Sequence, residues 1–173
     1  MQFASPEWHQ TLTSTNQVLL QRLAAGEDLP TGFVLAAYEQ TAGRGRYQRR
    51  WLSQAKRDLT FTFLLRPEAQ GDRLASLTLA VALGVRVALA TFGVEARTKW
   101  PNDLLVDGYK ICGILAERAG QDLVIGIGLN INMDEAVAAR LDRPVTSLYL
   151  QTGVEYAVET ILDAFSQLLA QLI

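Results

Sequence analysis

Four arginines fall within seven residues of the segment Gln40-Thr41-Ala42-Gly43-Arg44-Gly45-Arg46-Tyr47-Gln48-Arg49-Arg50-Trp51, with no acid among them. A guanidinium presents a fork of N–H donors that matches phosphate oxygens. Gly43 and Gly45 are expected to let the backbone approach a ligand closely and to take positive φ. The segment suits a polyphosphate. It is neither a G-x-x-x-x-G-K-[ST] loop nor a G-x-G-x-x-G turn opening a helix. A solvated basic loop or an RNA-contacting patch accounts for the same composition.

A second group is Lys99-Trp100-Pro101-Asn102-Asp103, followed by Asp107-Gly108 and by Lys110-Ile111-Cys112-Gly113-Ile114-Leu115-Ala116-Glu117. If Asp107-Gly108 is a tight hairpin turn, Val106 faces Tyr109, Leu105 faces Lys110, and Asp103 faces Cys112. Period-two alternation then puts Asp103, Leu105, Lys110 and Cys112 on one face. Beside apolar neighbours, a lysine and an aspartate bind a ligand carboxylate or phosphate and assist proton movement; the alternative is a structural ion pair on a half-exposed hairpin. A third group, Val124-Ile125-Gly126-Ile127-Gly128-Leu129-Asn130-Ile131-Asn132, reads as a buried strand. Its glycines leave room for another backbone or a flat ligand, and its asparagines need polar partners.

The elements that must position these groups belong to one domain, taken to run over residues 1–173. The chain has 173 residues, 49% hydrophobic and 20% charged, without an internal repeat or low-complexity linker. A chain of this size buries roughly 70% of its unfolded surface and needs no staple. One cysteine and one histidine exclude a disulfide framework and a Cys/His zinc site, and no metal ligands are assigned. The formal charge of -2 gives no global attraction to nucleic acid or membrane. The first ten residues lack an apolar signal core, and Leu77–Val94, broken by Thr78, Arg86 and Thr91, reads as a core helix. A soluble, cytoplasmic protein is expected.

Ser14-Thr15-Asn16-Gln17 has the form of a capping box, predicting a helix over Thr15–Ala25. Phe33–Tyr38, Leu59–Leu65, Ala96–Trp100, Leu104–Val106, Lys110–Glu117 and Leu123–Leu129 read as strands, and Leu77–Ala90 as a helix stopping near Gly93. A last amphipathic helix aligns Val154, Val158, Ile161, Leu162, Phe165, Leu168, Leu169 and Leu172. The hairpin argues against an all-parallel sheet, so the expected class is α+β with a mixed, largely antiparallel sheet. An exposed β-edge or the apolar last helix would suit a homodimer.

Taken together and in order, Ser14-Thr15-Asn16, GRGRYQRRW, KWPND, K-x-C-G-I-L-x-E and G-x-G-x-N resemble the catalytic domain of the biotin protein ligases, the biotin-[acetyl-CoA-carboxylase] ligase family. The resemblance covers about Thr13 to Asn132, with Thr146-Ser147-Leu148 similar to a further family segment. It implies a class II synthetase-like fold and a two-step reaction. Biotin and ATP give biotinyl-5′-adenylate, and a lysine of a biotin carboxyl carrier protein then takes the acyl group, with Mg2+ riding on the phosphates.

By the same resemblance Ser14, Thr15, Asn16, Gln40, Gly43, Arg44, Arg46, Lys110 and Gly113 lie around biotin. Arg44, Arg46, Arg49, Trp51, Asn102, Asp103, Lys110 and Asn130 lie around the nucleotide. Lys110, Arg46 and Asp103 are the expected catalytic residues, the two cations offsetting charge at phosphorus. Cys112 reads as a small core residue. The sequence departs from the family pattern at Tyr47, where an arginine is usual, and at Gln48, where glycine is. A winged-helix DNA-binding domain and a C-terminal β-barrel are not expected, so neither is repressor function. The competing functions are a lipoate or octanoate ligase or transferase, a biotin or adenylate binder without turnover, and RNA binding through the arginines.

Overall fold

A computed structural model of the chain describes residues 2–66 and 74–172. The elements run β1 (Glu7–Leu12), α1 (Thr15–Ala24), β2 (Val34–Gln40), β3 (Asp58–Leu65), α2 (Leu74–Thr91), β4 (Arg97–Lys99), β5 (Asp103–Val106), β6 (Tyr109–Ala119), β7 (Asp122–Asn130), α3 (Glu135–Ala138), α4 (Leu148–Thr152) and α5 (Val158–Leu172). Among the described residues the strands form one sheet, ordered β1-β2-β3-β7-β6-β5-β4. Only β1 and β2 pair parallel, joined by α1 as a crossover; the remaining neighbours are antiparallel. The fold is α+β with a mixed, largely antiparallel sheet, as expected.

The two faces of this sheet have different side chains because each strand alternates. Phe61 and Phe63 of β3, Ile125, Ile127 and Leu129 of β7 and Ile114 of β6 enter the main core, which α2 and α5 cover with Val81, Val85, Leu89, Ile161, Phe165 and others. The opposite face carries small and polar residues, including Thr62, Gly113, Gly126 and Gly128. There α1 packs Leu19 against Leu35, Leu64 and Val124 in a smaller cluster. The glycine-rich remainder of that face stays open for a site. Among the described residues no helix is long and apolar enough to cross a membrane.

Several expectations need correction. Strand β1 is missing from the sequence reading because Glu7–Leu12 is an edge strand with half-exposed, mixed residues and no alternating apolar face. Its Trp8 is held by stacking on Tyr38 at 4.7 Å, and His9 Nε2 meets Glu7 Oε1 at 2.7 Å. Ser14 is the N-cap of α1 but makes no side-chain cap bond. The helix start is satisfied instead by Gln40, whose Oε1 accepts from the Thr15 N–H at 2.7 Å. Val154 lies outside the last helix and is exposed, because Gly153 ends α4 in the left-handed conformation (φ 72°) and α5 begins later. The side chain of Leu172, and Ile173, lie outside the described residues.

Candidate active site

The turn Asp107-Gly108 forms as expected, with positive φ at both residues (49° and 88°). Val106 faces Tyr109 and Leu105 faces Lys110, but the register then slips. Leu104 pairs with Cys112 and Asp103 with Gly113, leaving Ile111 as the extra residue of a bulge. The expected pairing of Asp103 with Cys112 is therefore wrong, and so is the placement of Cys112 on the face of Lys110. The bulge sends both Ile111 and Cys112 into the core and brings Gly113 to the open face. Burial pushes the Cys112 thiol up to about 12, so it is an inert core group, as read from the sequence.

The slip nevertheless brings Lys110 and Asp103 together. Lys110 Nζ lies 2.6 Å from Asp103 Oδ1, and the ammonium stands 5.5 Å from the centre of the Trp51 ring. Trp51 lies on the sheet where two glycines leave space. A Cβ on Gly128 would stand 2.6 Å from Trp51 Cζ2, and one on Gly113 would stand 3.0 Å from Cζ3. The flat group that these glycines admit is thus the protein's own indole. Its Nε1–H is buried without a hydrogen-bond partner among the described residues.

At the other end of the cleft a polar network grows from the start of α1. Gln40 Oε1 accepts from both the backbone N–H and the hydroxyl of Thr15. The Thr62 hydroxyl lies 2.6 Å from Thr15 Oγ1 and 2.7 Å from Asn16 Oδ1 and donates its single proton to one of them. Asn16 Nδ2 donates to the Leu115 carbonyl at 3.1 Å and to Glu117 Oε2 at 2.9 Å. Gly126 makes this possible, since a Cβ there would stand 2.9 Å from Asn16 Cγ.

The arginine segment folds across the cleft as a small hairpin. Trp51 N–H donates to the Gly43 carbonyl at 2.9 Å, Arg44 bridges Arg50, and Gly45 N–H donates to the Arg49 carbonyl at 2.7 Å. Neither Gly43 nor Gly45 has positive φ, contrary to expectation; the left-handed residue is Tyr47 at the tip (φ 55°). Gly43 is required by close approach, because a Cβ there would stand 2.5 Å from the Trp51 carbonyl oxygen. Arg44 is tied to Glu117 at 2.7 Å, whereas Arg46 lies over the Tyr47 ring.

The resulting cleft has a volume of about 410 Å3 and contains Ser14, Thr15, Asn16, Gln40, Arg44, Arg46, Arg49, Trp51, Asn102, Asp103, Lys110 and Gly113 on its lining. That volume is within the range of small-molecule sites, roughly 300–1,000 Å3. Gly43 and Asn130 are not on the lining. Asn130 is buried beneath it and donates from Nδ2 to the carbonyls of Thr146 (2.9 Å) and Lys110 (3.3 Å). Asn102 lines the cleft but commits its Nδ2 to the Ile114 carbonyl at 3.0 Å. Asn132 brackets Tyr156 through both its amide atoms, outside the cleft.

Sequence reasoning missed Arg143. It reaches the lining from a loop that precedes α4, because Lys110 N–H donates to the Pro144 carbonyl and Lys110 bridges Val145. No local motif marks it, since its neighbourhood is set by a contact between distant segments. Lys99 and Arg50, quoted within motifs but given no role, also line the cleft. With Arg46, Arg49 and Lys110, the last paired with Asp103, they make the Lys110 end cationic, while the Thr15–Gln40 end carries neutral hydrogen-bonding side chains beside the Arg44–Glu117 pair.

A sheet-borne cleft with these motifs in this order matches known proteins. The model of the biotin/lipoate A/B protein ligase family matches residues 8–134. This chain belongs to that family. Among its curated relatives in the biotin/lipoate ligase family, the biotin--[acetyl-CoA-carboxylase] ligase of Mycobacterium tuberculosis is 40% identical over 146 residues, covering 82% of this chain and 53% of the relative. The bifunctional ligase/repressor BirA of Bacillus subtilis is 35% identical over 131 residues, 72% of this chain and 40% of the relative. The chain therefore spans about half or less of the length of these two proteins. The biotin protein ligase of Aquifex aeolicus, solved in complex with biotin and ATP, superposes with a TM-score of 0.83 at 31% identity over 98% of this chain and 70% of that one.

Proposed function

We propose that this chain is the catalytic core of a biotin-[acetyl-CoA-carboxylase] ligase. It joins biotin to ATP as biotinyl-5′-AMP and passes the biotinyl group to a lysine of a biotin carboxyl carrier protein. One observation carries the reading: a single cleft holds a neutral hydrogen-bonding end (Thr15, Asn16, Gln40) and a cationic end (Lys110, Arg46, Arg49), with the Trp51 face between them. Such a cleft fits a ligand with a polar uncharged head, an apolar middle and a carboxylate to be joined to a phosphate.

In the first step a carboxylate oxygen attacks the α-phosphorus and the bond to pyrophosphate breaks. Attack of one anion on another is slow chiefly through charge repulsion, which preorganised cations at the reacting phosphorus offset. Lys110, fixed by Asp103 and by the bulge, and Arg46 on the hairpin are assigned that task. The Arg44–Arg50 hairpin excludes water from the mixed anhydride. In the second step the carrier amine attacks the acyl carbon and AMP leaves; Asp103 orients the amine. Ser14 and Gly113 shape the biotin end, and Asn102 and Asn130 hold the backbone of the nucleotide end. Mg2+ would be carried by the ATP phosphates and would screen their charge, since the described residues offer no cluster of His, Cys, Asp or Glu to hold it.

The reading includes a cytoplasmic protein that forms a homodimer through an open sheet edge. The test is ATP–pyrophosphate exchange with biotin, lipoate or octanoate as the acid. Biotin-dependent exchange is expected. Exchange with lipoate or octanoate alone would move the chain to the lipoate branch of the family, and biotin binding without exchange would make it a binder. Sedimentation of the purified chain checks the dimer.

A further inference from the structure

Glu117 was not among the residues expected at the site, yet its carboxylate joins the start of α1 to the base of the arginine hairpin. Oε2 accepts from Asn16 Nδ2 at 2.9 Å and Oε1 accepts from Arg44 Nη2 at 2.7 Å. Its side chain is about one-fifth exposed, partly removed from the screening that weakens surface pairs. It projects from β6, an interior strand between β5 and β7, and so stands on a rigid support.

Both partners depend on it. Asn16 Nδ2 has two acceptors, the Leu115 carbonyl and Glu117, and these fix which way the amide points; Oδ1 is then turned toward the Thr62 hydroxyl. Arg44 begins the hairpin, where its backbone bridges Arg50. We infer that Glu117 is a positioning residue that holds the amide of Asn16 and the base of the arginine hairpin in one geometry, so that occupation of the neutral end and closure of the cationic end are coupled. An ionised carboxylate offers only acceptors and satisfies two donors at once. The naming of biotin as the ligand rests on the function proposed above; the coupling does not.

Glu117→Gln keeps the shape but replaces one acceptor with an NH2 donor, so it serves Asn16 or Arg44 and not both. Two readouts follow. Trypsin cleavage after Arg44, Arg46, Arg49 and Arg50 in the ligand-free protein should accelerate, while the thermal midpoint stays within the range of a surface substitution. In ATP–pyrophosphate exchange, the KM for biotin should rise about tenfold, the effect of losing one charge-assisted bond. Unchanged cleavage and unchanged KM for biotin would overturn the inference. So would a fall in kcat at unchanged KM, which marks only a loss of folded protein. If the wild-type chain shows no biotin-dependent exchange, the proposed function fails, and hairpin cleavage alone decides the coupling.

Discussion

Replacing Gly128 with alanine tests whether the position of Trp51 sets up the cleft. The new Cβ would stand 2.6 Å from Trp51 Cζ2 and 2.8 Å from Cδ2, whereas ordinary contacts begin near 3.4 Å. The partner strand cannot give way, because Gly128 is paired with Thr60 on β3 and with Gly113 on β6. The indole must therefore retreat from the sheet by about 1 Å, into the space a ligand needs and toward Lys110. Overpacking of this kind costs about 1–3 kcal/mol. For a domain of this size that lowers Tm by roughly 2–4 °C per kcal/mol. A displacement of about 1 Å at a reacting centre costs on the order of a hundredfold in rate. Thermal unfolding followed by circular dichroism, together with biotin-dependent exchange, measures both. The control is Gly120→Ala, where φ is 63° and a Cβ meets nothing within 4 Å; it should lose stability through backbone strain and keep its exchange rate. A Gly128→Ala protein with wild-type Tm and wild-type exchange would mean that the position of Trp51 does not set up the cleft.

Lys110→Ala and Arg46→Ala should each slow adenylate formation by a few kcal/mol of barrier, roughly a hundredfold or more, without unfolding the protein; normal single-turnover kinetics in either would remove that residue from the mechanism. Burial pushes the Asp58 carboxyl up to about 6 from its ordinary 3.8, against the Gln54 and Ile131 N–H donors and Arg57, which favour its ionised form. The native state therefore holds the proton between about pH 4 and 6 while the unfolded chain releases it, so stability from this group is lost as pH rises through that window, by on the order of 3 kcal/mol. Urea unfolding of wild type and Asp58→Asn from pH 4 to 7 should show wild type gaining on the variant toward pH 4; a constant difference would discard this account. Cys112, buried in the core with its thiol pushed up to about 12, should resist thiol reagents until the protein is unfolded, and Cys112→Ala should exchange pyrophosphate normally.

Much of the molecule is determined by local signals. The tight turn at Asp107-Gly108 needs two positive φ angles that these residues tolerate, and it forms where the sequence places it. Strands β3 and β7 follow from compact apolar and β-branched runs, and helices α1, α2 and α5 from capping and helical spacing, because burying apolar side chains is the dominant favourable term. The cationic segment and the Lys-Trp-Pro-Asn-Asp block mark the site through residue type, since clustered guanidinium groups and a lysine beside a carboxylate suit an anionic ligand.

Tertiary structure decided what depends on contacts between distant segments. A single extra residue, Ile111, in the bulge exchanges Cys112 for Gly113 on the open face, and no periodicity announces a slip of one residue. The half-exposed edge strand β1 is a strand only because β2 offers it hydrogen bonds. Ser14 makes no side-chain cap bond, while Gln40, brought alongside by the crossover, accepts from the Thr15 N–H. Arg143 enters the cleft because its loop bonds to the backbone of Lys110, and Glu117 matters because Asn16 and Arg44 converge on it from opposite sides. Residue type and local spacing show which charged, polar and small groups the chain offers, and the order of its motifs shows which family it resembles. Only the packed sheet decided which of those groups meet, because register and crossover are properties of pairs of segments and not of either one.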